Sequence, residues 1–305
     1  MDIQENKGEK KENTLIYKLA LLLSSMLWGC SFIFTRSLIE TEPTITPAIL
    51  MTGRLTFATL LTIPILAVTR RLKRIDRRDI WIFFVLSFFE PFLYSIFETF
   101  GVKMVGSVLS SIIIATIPLV VPFGMALVFK EKVRPVLIVG VSLSLIGIVL
   151  MMLGPQMEIS VNPLGVLCLI VAVFVAVAYT LILAKVLERY QPLTITSYLN
   201  AISLLYFVPI MLLKDREALM QLSFSLPMFL KLAFLGILCS TIAHICFNYG
   251  VKRLSPTVAS VYDNLVPVFS LLLAVAIGQE TLSPWTKVLG MAVVFVGLFL
   301  AHRKT

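Results

Sequence analysis

Charge is scarce in this sequence. Of 305 residues, 14% are Asp, Glu, Lys or Arg, where a soluble domain carries about 25%. Histidine occurs twice, as His244 and His302, too few for a histidine-rich metal centre. The four cysteines (Cys30, Cys168, Cys239, Cys246) each lie in an apolar stretch and form no C-x-x-C pair. They read as small reduced core residues, so neither a metal nor a cofactor is expected. A Gly-x-x-x-x-Gly-Lys loop is missing, which argues against nucleotide hydrolysis by the chain itself. Missing too is His-Glu-x-x-His, and Asp263 is the only aspartate inside an apolar run. Metalloprotease and aspartyl-dyad chemistry therefore lack their residues, and the chain is not expected to be an enzyme.

What is abundant is apolar surface. Hydrophobic residues make up 58% of the chain, more than a globule of this length can hide. Barrel strands would alternate apolar and polar, whereas these runs are solidly apolar, so the expectation is helices in a bilayer. Ten such runs occur: 15–38, 47–68, 80–100, 106–129, 135–153, then 164–187, 193–213, 227–249, 257–277 and 284–301. Each is close to the roughly 20 residues a spanning helix needs. A polar tail, residues 1–14, precedes the first run with no cleavable signal pattern, and a short basic tail, 302–305, follows the last.

The net charge of +9 lies in short clusters between the runs and is not a nucleic-acid signal. One set of flanks holds Lys7, Lys10, Lys11, Lys18, the cluster at 70–78, Lys130, Lys132, Arg134, Lys185, Arg189, Lys252, Arg253, Arg303 and Lys304. The opposite set holds only Arg36, Lys103, Lys214, Arg216, Lys231 and Lys287. By the positive-inside rule both termini are expected in the cytoplasm, in the plasma membrane of a bacterium.

The second half repeats the first. Phe-Gly-Val-Lys-Met at 100–104 recurs as Tyr-Gly-Val-Lys-Arg at 249–253, a displacement of 149. At that displacement Pro118 falls on Pro267, Glu131 on Glu280, Pro135 on Pro284 and Arg36 on Lys185. With one residue added, Gly140 and Gly147 fall on Gly290 and Gly297. Each repeat (15–153 and 164–301) holds five runs, an odd number, so the halves must be inverted. Inverted repeats are the architecture of alternating-access carriers, with the substrate near the midplane between the halves.

On these residues the chain resembles the EamA-type members of the drug/metabolite transporter superfamily. The likeness rests on Trp28-Gly29 followed by Phe32, and on the Gly-Val-Lys turns before helices 4 and 9. Pro118, Pro267 and the Glu131 and Glu280 turns before the small-residue helices 5 and 10 complete it. The second repeat departs from the pattern, with Val177-Ala178 in place of Trp28-Gly29. The resemblance implies an all-α polytopic membrane protein of ten transmembrane helices in two inverted five-helix repeats. It implies secondary transport of a small metabolite, commonly export, through a cavity lined by helices 1, 3, 4, 6, 8 and 9. An amino acid or amphipathic amine suits that cavity; a nucleobase, a sugar or an S-adenosyl compound suits it too. Facilitated diffusion, a channel-like mechanism and proton coupling all stay open, as does a monomer against a loose homodimer.

The few polar residues inside the runs are the candidate site. A charge at the bilayer centre costs at least about 2.5–3.5 kcal/mol, so each needs a reason. Glu90 lies about 15 Å into helix 3, with Tyr94 and Glu98 following on the expected same helix face. Glu90 and Tyr94 are expected to bind substrate or carry a proton, and Glu98 to couple or gate. Arg54 approaches the depth of Glu98 from helix 2, as an ion-pair partner of Glu98 or Glu90 or as a carboxylate binder. Asp263 and Asn264 in helix 9 have no polar counterpart in the first repeat, which reads Ile114-Ala115 there. His244 and Asn248 share a face of helix 8, where a histidine can relay protons or simply bind a neighbour. Trp28 and Tyr179 are the aromatic candidates for the cavity wall. Pro118 and Pro267 are expected to bend their helices, and the four glycines to let helices 5 and 10 pack closely.

Overall fold

The computed structural model describes residues 2–68, 74–152, 162–278 and 285–302, with side chains described from residue 14 onward except at 102, 103, 106–109, 111, 112, 152 and 302. Glu280, Pro284, Lys103 and the basic residues of the tail and of positions 70–73, 303 and 304 fall outside that description. Among the described residues every regular element is helical. The first half comprises α1 (Asp2–Thr41), α2 (Pro47–Val68), α3 (Ile80–Ser87), a π-helical turn (Phe88–Leu93), α4 (Tyr94–Ile114), α5 (Ile117–Phe129) and α6 (Pro135–Met152). The second comprises α7 (Pro163–Arg189), α8 (Pro192–Leu213), α9 (Arg216–Gln221), α10 (Leu226–Phe234) and a π-helical turn (Leu235–Ile242). It continues with α11 (Ala243–Arg253), α12 (Pro256–Val261), a 3₁₀ turn (Tyr262–Leu265), α13 (Val266–Ala276) and α14 (Thr286–His302).

Seven helical stretches are long and apolar enough to cross a membrane, and three shorter helices, Ile117–Phe129, Pro135–Met151 and Thr286–Ala301, are apolar too. Their outer faces carry bare hydrophobic side chains, among them Leu60, Leu127, Phe174, Leu205 and Phe299. Lipid, rather than water, suits such a surface.

Equivalent elements of the two halves play equivalent parts. α1 packs on α11 and α13, while α7 packs on α4 and α5; α2 faces α8, and α6 faces α14. α6 and α14 run antiparallel: a Cβ on Gly147 would lie 2.6 Å from the Gly290 carbonyl, and one on Gly140 would lie 2.7 Å from that of Gly297. The two backbones touch there, as the small-residue pattern predicts. Since α6 and α14 hold the same place in the repeat, their opposite sense makes the halves inverted.

The helices break where backbone bonding fails. The third run is interrupted at Glu90, whose φ of −143° and ψ of 129° are extended. Pro91 has no N–H to give and pushes the residue before it out of the α region. The same depth of the second half, 149 residues on, holds the other π-helical turn. Pro118 and Pro267 each sit in the first turn of the helix that follows an irregularity, at Ala115-Thr116 and at Tyr262–Leu265. There the missing N–H removes no helical bond.

One expected turn differs. In the second half the chain breaks after Gly250-Val251-Lys252-Arg253, where the Ser255 side chain accepts a bond from Val258 N–H and Pro256 opens α12. In the first half helical backbone is assigned straight through 101–105. The positions equivalent to Ser255-Pro256 are Gly106-Ser107, which supply no proline to stop the helix.

Candidate functional site

The candidate residues gather around the two π-helical turns. In the second of these, Ala243 N–H bonds the Leu238 carbonyl, one residue further back than in an α-helix. The Cys239 carbonyl therefore loses its α-helical partner and accepts instead from Trp28 Nε1 (3.3 Å), with His244 Nδ1 3.1 Å away. A carbonyl can only accept, so Nδ1 carries the imidazole hydrogen and Nε2 is turned elsewhere. It faces Glu90 Oε1 at 3.8 Å, across the boundary between the two halves. Both side chains keep 23% of their surface accessible.

Aromatic rings pack around this pair. Trp28 stands edge-on to His244, centroids 5.1 Å apart, and is tilted against Phe247 at 5.2 Å. Tyr179, Phe247 and Tyr262 belong to one buried cluster, against which Trp28 and Phe89 pack. Ser25, one turn before Trp28, donates to the Tyr262 carbonyl at 2.8 Å. Helix α1 thus caps a carbonyl in each of the two irregular turns of the second half.

Tyr94 donates to Glu98 at 3.1 Å, as their spacing predicts. Glu90 precedes α4 on extended backbone, so the regular helical spacing that relates Tyr94 to Glu98 does not run through it. The three acids still share one field: Tyr94 lies within electrostatic reach of Glu90, Glu98 and Asp263, and Glu98 within reach of Glu90 and Arg54. Arg54 makes no ion pair within 4.0 Å with Glu98 or Glu90; its Nε donates to Ser240 Oγ at 3.2 Å. Asp263 Oδ1 and both polar atoms of the Asn264 side chain are buried without a hydrogen bond. Asn248, one turn beyond His244, is held by Thr196 of α8 at 3.1 Å and does not meet Glu90.

Sequence reasoning missed α8. Thr196, Asn200 and Ser203 line one buried face of it, and Asn200 Nδ2 donates to the Ser240 carbonyl (3.4 Å) and to Thr241 Oγ1 (3.3 Å). The i, i+4, i+7 spacing of three polar residues within an apolar run was the available signal. A separate cavity of about 300 Å³ opens at one end of the bundle, with Met125, Phe129, Glu131, Leu187, Glu188 and Lys252 among its walls. Among the described residues no cluster of three or more His, Cys, Asp or Glu could hold a metal.

This arrangement brings a carboxylate, an imidazole and aromatic rings together at two broken helices, one from each half. Residues 15–153 and 163–303 each match the EamA-like transporter family. An uncharacterized transporter of Archaeoglobus fulgidus is 27% identical over 235 residues, 76% of this chain and 81% of that protein. The uncharacterized transporter YcxC of Bacillus subtilis is 25% identical, covering 95% of this chain and 93% of its own. The inner membrane protein YtfF of Escherichia coli is 26% identical, covering 93% and 94%. A protein of known crystal structure shares the fold at a TM-score of 0.76 and 20% identity, over 94% of this chain and 97% of that one. With both halves matched, the chain belongs to the EamA-like transporter family: it is a membrane transporter.

Proposed function

We propose that the chain is a secondary active carrier that exports a small metabolite, an amino acid or an amphipathic amine, in exchange for protons. The observation that carries this reading is the meeting of Glu90 and His244, from opposite halves, at two broken helices. Nδ1 of His244 is committed to the Cys239 carbonyl, which leaves Nε2 beside Glu90, where either a proton or the ammonium group of the substrate can be received in turn. Trp28, Tyr179 and Phe247 form the apolar wall, and Asp263, Asn264 and Asn248 supply further polar groups. Rocking of the inverted halves about this site gives alternating access, with Glu98, Arg54, Pro118 and Pro267 coupling or gating the motion.

Ten spans with both termini cytoplasmic accommodate the seven long and three shorter apolar helices and the basic flanks. In that orientation the cavity bordered by Glu131, Glu188 and Lys252 lies at the cytoplasmic end, where an exporter loads. The carrier works as a monomer or loose homodimer in a bacterial plasma membrane.

The test is a metabolite counterflow screen in proteoliposomes, run with wild type and Glu90→Gln across pH. A saturable counterflow is expected, with the Gln variant slowed about tenfold or more and its pH dependence flattened. Flux without saturation or counterflow would make the protein a channel. Normal, equally pH-dependent exchange by Glu90→Gln would remove Glu90 from the mechanism.

A further inference from the structure

The turn that leads into α3 carries more positive charge than its own acids can balance. Residues 70–79 hold six basic side chains and two acids, Asp76 and Asp79. Both acids are taken by Arg189 of α7, at 3.7 and 2.8 Å, and Asp79 also by the Tyr190 hydroxyl at 2.6 Å. Among the described residues, Arg74, Arg77 and Arg78 have no carboxylate within 4.0 Å, and all three are exposed. Asp79 N–H bonds the Asp76 carbonyl at 2.8 Å, and Ile82 N–H bonds the Asp79 carbonyl at 3.0 Å, so the chain already winds as it enters α3. Arg77 and Arg78 therefore come one turn before Trp81, which is 65% exposed. Phe84 and Phe88 follow Trp81 one and two turns on and are exposed as well, a bare aromatic strip along the helix. Tyr206 of α8 borders the strip: its hydroxyl donates to the Phe84 carbonyl at 3.1 Å, and its ring lies 5.8 Å from that of Phe88. The second half lacks the charge, with Ser223, Leu226 and Pro227 standing 149 residues beyond the three arginines.

We infer that this turn is a binding site for an anionic phospholipid, its phosphate received by Arg74, Arg77 and Arg78 and its acyl chains lying on Trp81, Phe84 and Phe88. Charge complementarity selects the occupant, because guanidinium groups without counter-ions at the edge of an apolar face meet headgroup phosphates there. A tryptophan ring suits the same level, where its body is in the hydrocarbon and its N–H in the headgroups. A zwitterionic lipid would bring an ammonium group to the same three cations, and a free phosphate would leave the aromatic strip uncovered. The inference rests on the chain being a membrane protein and not on which solute it carries. The headgroup would sit beside the Asp79–Arg189 contact, which joins the two halves.

Trp81 lets the site report on itself. The protein is reconstituted in phosphatidylcholine vesicles with increasing fractions of phosphatidylglycerol, one lipid or the other brominated in its acyl chains. Tryptophan quenching in wild type is compared with that in Trp81→Phe, which isolates the Trp81 signal. That signal should show phosphatidylglycerol preferred by about tenfold. Replacing Arg74, Arg77 and Arg78 together by Gln should reduce the preference below about twofold. Wild type in about 0.5 M salt should lose it too, which tests the site even where the triple variant does not fold. Trp285, at the start of α14 and so at the opposite end of the bundle, should show less than about twofold preference. About 10 mM inorganic phosphate should change nothing relative to chloride of equal ionic strength. The assignment is overturned by wild type without a preference at Trp81, or by one that survives salt or the three Gln substitutions. An equal preference at Trp285 would make the effect general enrichment of anionic lipid, and displacement by inorganic phosphate would make the arginines a site for the free anion; either overturns it as well.

Discussion

Cys239 acts through its carbonyl. The thiol is an ordinary buried group that donates to the Leu27 carbonyl at 3.3 Å, while the carbonyl, released by the π-helical turn, orients both Trp28 and His244. Removing the indole donor should leave part of that carbonyl unsatisfied and loosen the imidazole beside it. Trp28→Phe keeps most of the ring and loses the Nε1–H, so thermal unfolding in detergent should show a loss of about 0.5–1.5 kcal/mol. Under the proposed mechanism, transport should fall further than stability does. If exchange is untouched, Trp28 only fills space. At this scale the sequence was partly legible. Glu90 is conspicuous because an acid ten residues into an apolar run has no other place to be than mid-membrane. His244 is not, since nothing in its own run says which nitrogen is tied and which is turned to a partner more than 150 positions away.

Among the elements, α6 and α14 form a tight seam, glycine backbone against glycine backbone. A side chain at Gly147 would meet the Gly290 carbonyl and the Val294 nitrogen, main-chain atoms that cannot step aside. Gly147→Leu should therefore cost about 1–3 kcal/mol or prevent assembly, read as a lowered unfolding temperature and lowered folded yield. Ile146→Leu, an exposed neighbour on the outer face, should change neither. The glycine spacing announced this seam from sequence, because only small residues at such intervals let helices touch. The helix breaks were half announced: Pro118 and Pro267 mark theirs, but the second π-helical turn contains no proline and depends on packing against α1 and α2.

Across the whole molecule, a set of polar contacts ties the halves at one end. Asp79 receives Arg189 Nη1 at 2.8 Å and the Tyr190 hydroxyl at 2.6 Å, and Lys252 donates to the Tyr190 carbonyl at 2.8 Å. At the other end the links between the halves include Lys231 Nζ, in the last turn of α10, donating to Ser37 Oγ of α1 at 2.7 Å, and Ser223 Oγ donating to Glu42 Oε1 at 2.9 Å. Weakening the first should free the adjoining cavity. Ala184→Cys, placed on that cavity's wall in a background with the native cysteines replaced, should be labelled faster by a maleimide once Asp79→Asn is added. An unchanged rate would show that the contacts do not restrain opening. Burial, and then the bond to Asp79, hold the Tyr190 phenol above its usual value. A raised value means the phenol's contribution is complete below its ordinary ~10 and lost only as pH climbs through the higher one. Tyr190→Phe should thus speed labelling by the same factor at about pH 6 and about pH 8, both far below that range.

Scarcity of charge determined, from sequence alone, that the chain lives in lipid, and the 149-residue repeat determined its two-part plan. Both follow from local rules, since a residue's preference for lipid and the spacing of glycines and prolines do not depend on what lies across the bundle. The tertiary structure decided which exceptions meet. It joined Glu90 to His244, broke the helix at Glu90, gave Arg54 to Ser240, and brought in Asn200. Those pairings depend on where two helices irregular in the middle set their side chains and free their carbonyls. Such places are settled only when all the neighbouring helices are packed together.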